Sequence, residues 1–230
     1  MKSSKWQALG NTYLLVEQAE LTPERVRELC AGQADGVLEV ESDTQVKVWN
    51  ADGSVAEMSG NGARIAAAWL ARKTRQSSVR LRVGERDVSA SVDGDMVVLD
   101  VGRVQVGETE TLDDVELTPV SVGNPHAVVR GDPADIRRLG PLLETHPRFP
   151  NRTNVQLVRV DGRHDLTVGV WERGVGETQS SGTSSVAAAA AAIANGWCDS
   201  PVHVHLAGGD LLVELERGAA RLSGPVVELA

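Results

Sequence analysis

The chain has 230 residues, enough for one large domain or two small ones. It is 41% hydrophobic and 24% charged, an ordinary balance for a globular protein, with a net charge of -9. An acidic chain with scattered basic residues is not built to hold nucleic-acid phosphates, which need clustered Lys and Arg. The longest apolar stretch, Val186 to Ala194, is too short to span a bilayer, and the N-terminus has no signal-peptide core. A cytoplasmic, soluble protein is the expectation, with no nucleic-acid or membrane partner.

With one Phe, one Tyr and five Trp, the core must rest on Val, Leu and Ala. In chain order, "TYLLVE" reads as a strand. "TPERVRELC" reads as a helix, with Thr22 as its N-cap, Pro23 at its first position and Glu24 suiting the helix dipole. "GVLEV" and "QVKVWN" are strands, and "NGARIAAAWLARKT" is a second helix whose Arg72, Lys73 and Arg75 read as a solvated end. "SVRLRVG", "DVSASV" and "MVVLDV" are further strands, and "VELTPVSVGNPHAVVR" is strand-like throughout. "DIRRLGPLLETH" is a short helix, followed by the strands "TNVQLVRV" and "DLTVGVWE". "SSVAAAAAAIANGW" is the fourth helix, with Gly196 as a C-cap, and "VHVHLAGG", "LLVELER" and "AARLSGPVVEL" close the chain as strands.

Cys30 and Cys198 show no C-x-x-C spacing, so neither a zinc nor a thioredoxin-like site has support. A disulfide between them and two reduced thiols are both open readings, the second being usual inside cells.

Two local devices repeat. "SGNGARIAAA" and "SGTSSVAAAA" each lead from a Ser-Gly pair into an alanine helix, with Ser59 and Ser181 in register. Gene duplication accounts for the match. So does chance, since Ala is the best helix former. Small residues would also let each helix sit deep in a curved sheet. A helix start offers unpaired N–H groups and partial positive charge, and glycines let an anion approach. Taken singly, each serine is most simply an N-cap. As a pair, the two helix starts are candidate anion cups. Asn11, Asn50, Asn124, His126, Asn154, Glu172 and Arg173 stand in turn-like settings, and together with the cups they suit a zwitterionic ligand such as an amino acid.

Six motifs in order, "KWQALGNTYLLVE", "WNADGSVAEMSGNGAR", "VSVGNPHAVV", "LLETHPRFPNRTNVQ", "WERGVGETQSSGT" and "HLAGGDLLVE", resemble the diaminopimelate epimerase family over essentially the whole chain. The resemblance implies an α/β (α+β) fold of two similar lobes, each a curved, mostly antiparallel sheet around a central helix, with the active site in the cleft between them. The expected boundaries are 1–107, completed by the last strand at 220–230, and 108–219. It implies an isomerase that needs no pyridoxal phosphate and no metal. Such an enzyme interconverts LL- and meso-diaminopimelate by removing and returning an α-proton, in the lysine and peptidoglycan precursor pathway. By the same resemblance, Gly60, Asn61, Gly182 and Thr183 cradle the reacting carboxylate. Asn11, Asn50, Asn124, Asn154, Glu172 and Arg173 hold the distal amino-acid end, with Arg173 clamping its carboxylate. His126 and Glu172 stand beside the acid/base pair, and the assembly is a homodimer.

The family carries a cysteine at each helix start, where this chain has Ser59 and Ser181. It usually carries glutamine where this chain has Gly36. A thiol has a reference pKa of ~8.5. A helix dipole, worth ~0.3–1 kcal/mol and at most ~2, cannot bring a serine hydroxyl into that range. Each serine therefore needs a neighbouring base, and His126 and Glu172 are the expected helpers. Two alternatives stand beside epimerisation of diaminopimelate. One is an isomerase-fold enzyme for another amino-acid-like substrate. The other is a non-catalytic or Cys→Ser form that binds without epimerising.

Overall fold

The computed structural model describes residues 2–17, 19–56, 59–84 and 86–229. Its elements run β1 (Lys2–Ala8), β2 (Asn11–Glu17), α1 (Pro23–Cys30), β3 (Gly36–Ser42), β4 (Gln45–Asn50), β5 (Val55–Ala56), α2 (Gly60–Thr74), β6 (Ser78–Val83), β7 (Arg86–Asp93) and β8 (Met96–Arg103). They continue with β9 (Gln105–Val106), β10 (Glu110–Leu112), β11 (Val115–Ser121), β12 (Pro125–Arg130), α3 (Ile136–Glu144), β13 (Asn154–Gly162), β14 (Asp165–Glu172) and β15 (Gly176–Thr178). The chain ends with α4 (Gly182–Ala194), β16 (Val202–Leu206), β17 (Gly209–Glu216), β18 (Ala219–Pro225) and β19 (Val227–Leu229). It divides into two compact units, Met1–Asp100 with Ser223–Ala230, and Val101–Leu222. The class is mixed α and β, mostly strand, as expected from the sequence.

In the first unit β1 and β2 form an antiparallel hairpin, and β2 pairs parallel with β3 across the α1 crossover. β3 and β4 are antiparallel, and β4 pairs parallel with β6 across α2. β6 and β7 are antiparallel, as are β7 and β8. The second unit repeats the order. β11 and β12 are antiparallel, β12 is parallel to β13 across α3, β13 and β14 are antiparallel, β14 is parallel to β16 across α4, and β16 and β17 are antiparallel. Even the short β5 and β15, each pairing back on the strand before it, correspond. This shared connectivity favours duplication over a chance likeness of alanine helices.

Each unit buries an alanine helix. Ala63, Ile65, Ala66, Ala67 and Trp69 of α2 pack into a core with Leu15, Leu38, Val48, Val83 and Leu99. In α4, Val186 through Ala192 are buried almost completely. Methyl-sized side chains let strands approach on every side, and a larger residue there would overpack by ~1–3 kcal/mol. The short helices cover other ground. Val26 and Cys30 of α1 sit on Val16, Val37 and Trp49, while Ile136, Leu139 and Leu143 of α3 sit on Val155 and Leu157.

Several sequence expectations are refined. The strand-like stretch Val115–Arg130 is divided into β11 and β12, because the chain turns at Gly123 with φ 86°. Asn195 caps α4, and Gly196 follows it in the left-handed region with φ 70°. Cys30 and Cys198 are both free and buried, so there is no disulfide. Arg72, Lys73 and Arg75 are exposed, as a solvated helix end should be, and Arg72 also bonds Glu228 at 2.7 Å while Lys73 bonds Asp43 at 3.1 Å.

Candidate functional site

In the first unit the site forms at the N-terminus of α2. Ser59 is the extended N-cap, and its Oγ accepts from the Gly62 N–H at 3.0 Å. Gly62 has no Cβ, which leaves its amide free to approach the serine closely; a Cβ there would lie 3.0 Å from Leu38. The Tyr13 hydroxyl lies 2.9 Å from Ser59 Oγ. Asn61 is buried and accepts from Arg64 Nη2 at 2.5 Å. Arg64 is fully buried, and its Nη1 reaches the Gly60 carbonyl at 3.5 Å. Burial lowers the Arg64 pKa to about 10, and the attraction of Tyr13 opposes that fall. The side chain therefore stays cationic at neutral pH and reinforces the positive end of the helix. Nothing in α4 repeats it, since Val186 stands where Arg64 does in the serine-matched register.

The β-sheet gathers the remaining residues of this half. Tyr13 pairs with Gly36 across β2 and β3, and Gly36 pairs with Asn50 across β3 and β4. Asn50 is exposed and donates to Ser54 Oγ at 2.9 Å. Asn11 opens β2, after a tight turn in which Leu9 and Gly10 hold φ 49° and 79°. A Cβ on Gly36 would lie 2.5 Å from the Trp49 carbonyl oxygen and 2.7 Å from Tyr13 Cε1. The tyrosine ring therefore fills the space that a side chain at position 36 would need.

In the second unit Ser181 is the extended N-cap of α4, yet its side chain makes no capping bond. It hydrogen-bonds Glu172 instead. Burial raises the Glu172 pKa, and the hydrogen bonds from Ser181 and Thr178 only partly counter that. The Thr178 hydroxyl is 3.4 Å from Glu172 Oε1. Gly182 is buried and Thr183 partly exposed in the first turn of α4. Beside them, His126 pairs with Asn154 across β12 and β13, as Tyr13 pairs with Gly36. Asn154 donates to the Pro125 carbonyl at 2.9 Å and accepts from the Arg173 N–H at 3.0 Å.

His126 is fully buried, and its Nε2 lies 3.0 Å from Asn124 Oδ1. Burial pulls its pKa down to about 3; Gln156 beside it favours the charged form, and Arg173 disfavours it. Such an imidazole is neutral at physiological pH and has little affinity for a proton. That counts against the expected helper-base role for His126.

Three residues that the sequence reading passed over bear on the site: Tyr13, Arg64 and Glu144. Glu144 accepts from Trp171 Nε1 at 2.7 Å and from the Gly174 N–H at 2.8 Å, bracketing the turn that carries Glu172 and Arg173. Burial works to raise its pKa, but these bonds and Arg152 outweigh burial and hold it low. The cysteines lie elsewhere. Burial pushes the thiols of Cys30 and Cys198 up, the opposite of what a catalytic thiolate needs. Among the described residues no helix is long and apolar enough to cross a membrane.

The family model described as diaminopimelate epimerase matches residues 3–107 and 118–227. The diaminopimelate epimerase of Azotobacter vinelandii is 36% identical over 250 residues, covering 93% of this chain and 90% of the relative. That of Methanothermobacter thermautotrophicus is 35% identical over 263 residues, covering 95% and 92%. Among solved structures, a phenazine biosynthesis protein of the PhzF family from Bacillus anthracis superposes with a TM-score of 0.76 at 13% identity, covering 100% of this chain and 98% of that one. A hydroxyproline epimerase from Agrobacterium vitis, with bound trans-4-OH-L-proline, gives 0.68 at 14% identity, covering 99% and 90%. At that identity the structural likeness speaks for the fold alone.

Proposed function

The chain belongs to the diaminopimelate epimerase family, and we propose that it is a cofactor-independent isomerase that inverts the α-carbon of diaminopimelate by proton removal and return. The observation that carries this reading is the pair of matched helix starts. Each opens on an extended N-cap serine at the positive end of its helix, with the serine hydroxyl hydrogen-bonded to an ionisable side chain.

Gly60, Asn61, Gly182 and Thr183 would hold the reacting carboxylate on helix N–H groups, with Arg64 adding charge at the first. Asn11, Asn50, Asn124, Asn154, Glu172 and Arg173 would hold the distal end, the Arg173 guanidinium pairing with its carboxylate. Ser59 and Ser181 are the proton-transfer pair. At Ser181 the carboxylate of Glu172 takes the hydroxyl proton as Oγ takes the α-proton, so no free alkoxide forms. In this reading His126 is a neutral hydrogen-bonding group that positions Asn124.

The test is incubation with LL-diaminopimelate in D2O, following loss of the α-proton signal by NMR. The reading expects exchange by the wild-type chain and none after Ser59→Ala with Ser181→Ala. Unchanged turnover in the double variant would count against it. A second reading, the same chemistry on another amino-acid-like substrate, is favoured by Gly36. Where glutamine is the family habit, the Tyr13 ring occupies the space. Exchange with other amino acids but not with diaminopimelate would select it.

A further inference from the structure

We propose that Tyr13 is the proton relay of the Ser59 half of the site, its phenolate taking the Ser59 hydroxyl proton as Ser59 Oγ takes the substrate α-proton. This rests on the proton-transfer role proposed for Ser59. The step balances. The Cα–H bond breaks and leaves its electron pair on the substrate. A new O–H bond forms at Ser59, the old one breaks, and a phenol O–H forms at Tyr13. The proton returned to the opposite face comes from Ser181; when the reaction runs in the other direction Ser59 is the donor and Tyr13 passes its proton back, and nothing is oxidised or reduced.

Four observations converge. The Tyr13 hydroxyl is 2.9 Å from Ser59 Oγ, within direct transfer distance. Ser59 Oγ already accepts from the Gly62 N–H at 3.0 Å, which leaves its own proton free to point at the phenol oxygen. The ring is held in place: Trp6 and Gly36 pair with Tyr13 from the two flanking strands, and Gly36 gives up its side chain to make room. Neither of those residues ionises. The fully buried Arg64 of α2 is electrostatically coupled to Tyr13, and their mutual attraction favours the phenolate. Burial of the ring, 8% exposed, works against it. A phenol with a reference pKa of ~10 is far closer to working pH than a serine hydroxyl. The helix dipole, at most ~2 kcal/mol, could not close that gap alone.

Tyr13 is the only tyrosine in the chain, so tyrosinate absorbance in the near ultraviolet reports on it without mutation. We expect a midpoint below ~10 in the folded protein, returning towards ~10 in denaturant. A folded-state midpoint at or above ~10 would overturn the relay. Kinetics supply a second readout. Tyr13→Phe should slow α-proton exchange by on the order of 10²-fold in the wild-type background, in kcat rather than KM. In a Ser59→Cys background the same change should cost only a few-fold, because a thiol at ~8.5 needs no relay. Equal losses in both backgrounds would make Tyr13 a packing residue and overturn the relay. No exchange by either the wild-type or the Ser59→Cys protein, with a low phenol midpoint, would overturn the proposed substrate instead.

Discussion

At the start of α2, Ser59 caps its helix and bonds a phenol; at the start of α4, Ser181 makes no cap bond and meets a carboxyl group. The scaffolds around the two serines correspond strand for strand. Tyr13 and Gly36 in one unit occupy the places of His126 and Asn154 in the other. Asn50 ends β4 as Glu172 ends β14. The ionisable neighbour of the serine therefore comes from β2 in one copy and from β14 in the other. Duplication fixes where a serine sits, while single side chains on the flanking strands decide what it can exchange a proton with. The buried cation is equally one-sided, because Arg64 has only Val186 as its counterpart.

The bluntest way to break the comparison is to remove each serine in turn. If the two halves serve one reaction, Ser59→Ala and Ser181→Ala should each cut epimerisation by about 10²–10⁴-fold. Steady-state rates from the LL and meso directions check this. A loss confined to one serine would mean that only one copy still does chemistry.

Glu172→Gln sharpens the difference between the partners. It should lower turnover by on the order of 10²-fold while leaving the fold intact. The carboxyl pKa is raised in the folded protein, so above it the wild type carries a buried charge that the unfolded chain solvates freely. The variant lacks that cost and should melt higher than wild type at neutral pH. Its advantage should fade as pH falls through the raised folded value and past the ordinary ~4.3, below which both states of the wild type are protonated. Thermal melts from pH 4 to 8, the span about ordinary carboxylate and neutral pH, measure it. A wild-type advantage at neutral pH would contradict the direction of the shift.

Gly36→Ala tests the Tyr13 side at smaller cost. The new methyl would meet the Trp49 carbonyl and the tyrosine ring, so we expect ~1–3 kcal/mol of lost stability and a displaced phenol titration. The matching strand position in the other unit already holds a side chain, Asn154, so the restriction belongs to the copy that houses Tyr13.

Much of this scaffold was legible in the sequence, because it depends on local rules. Thr22-Pro23 announced a helix start, and the two Ser-Gly-alanine segments announced the repeated central helices. β1 was not legible: "KSSKWQA" has little strand propensity, and it becomes a strand by pairing with β2 on one side and β19 on the other. The partner of Ser59 was hidden for a similar reason. Tyr13 is 46 residues away, and alternation along β2 tells which face a ring takes but not what its hydroxyl meets. Arg64 was hidden because an arginine in a helix reads as solvent-exposed until the packing shows otherwise. Glu172 could be named in advance from its motif, yet its bond to Ser181 and its raised pKa appear only when β14 and α4 are placed together.

His126 gives the smallest effect at neutral pH and separates structural from catalytic use of the position that Tyr13 fills in the other unit. Its Nε2 faces Asn124 Oδ1, which puts the proton of the neutral ring on that nitrogen. Its folded pKa of about 3 lies well below the unfolded value of ~6.5. Above ~6.5 the ring is neutral in both states and titration contributes nothing. As pH falls below that, the unfolded chain binds a proton that the folded chain refuses, and stability is lost at up to ~1.4 kcal/mol per pH unit until about pH 3. His126→Gln keeps a donor for Asn124 but cannot titrate, so denaturation from pH 7 to 4, the range below neutral where histidine charges, should show a shallower acid slope than wild type. An unchanged slope would mean that His126 charges freely in the folded protein. A neutral ring held beside amides would then be the wrong description, and a helper base on the second unit would return as the better one.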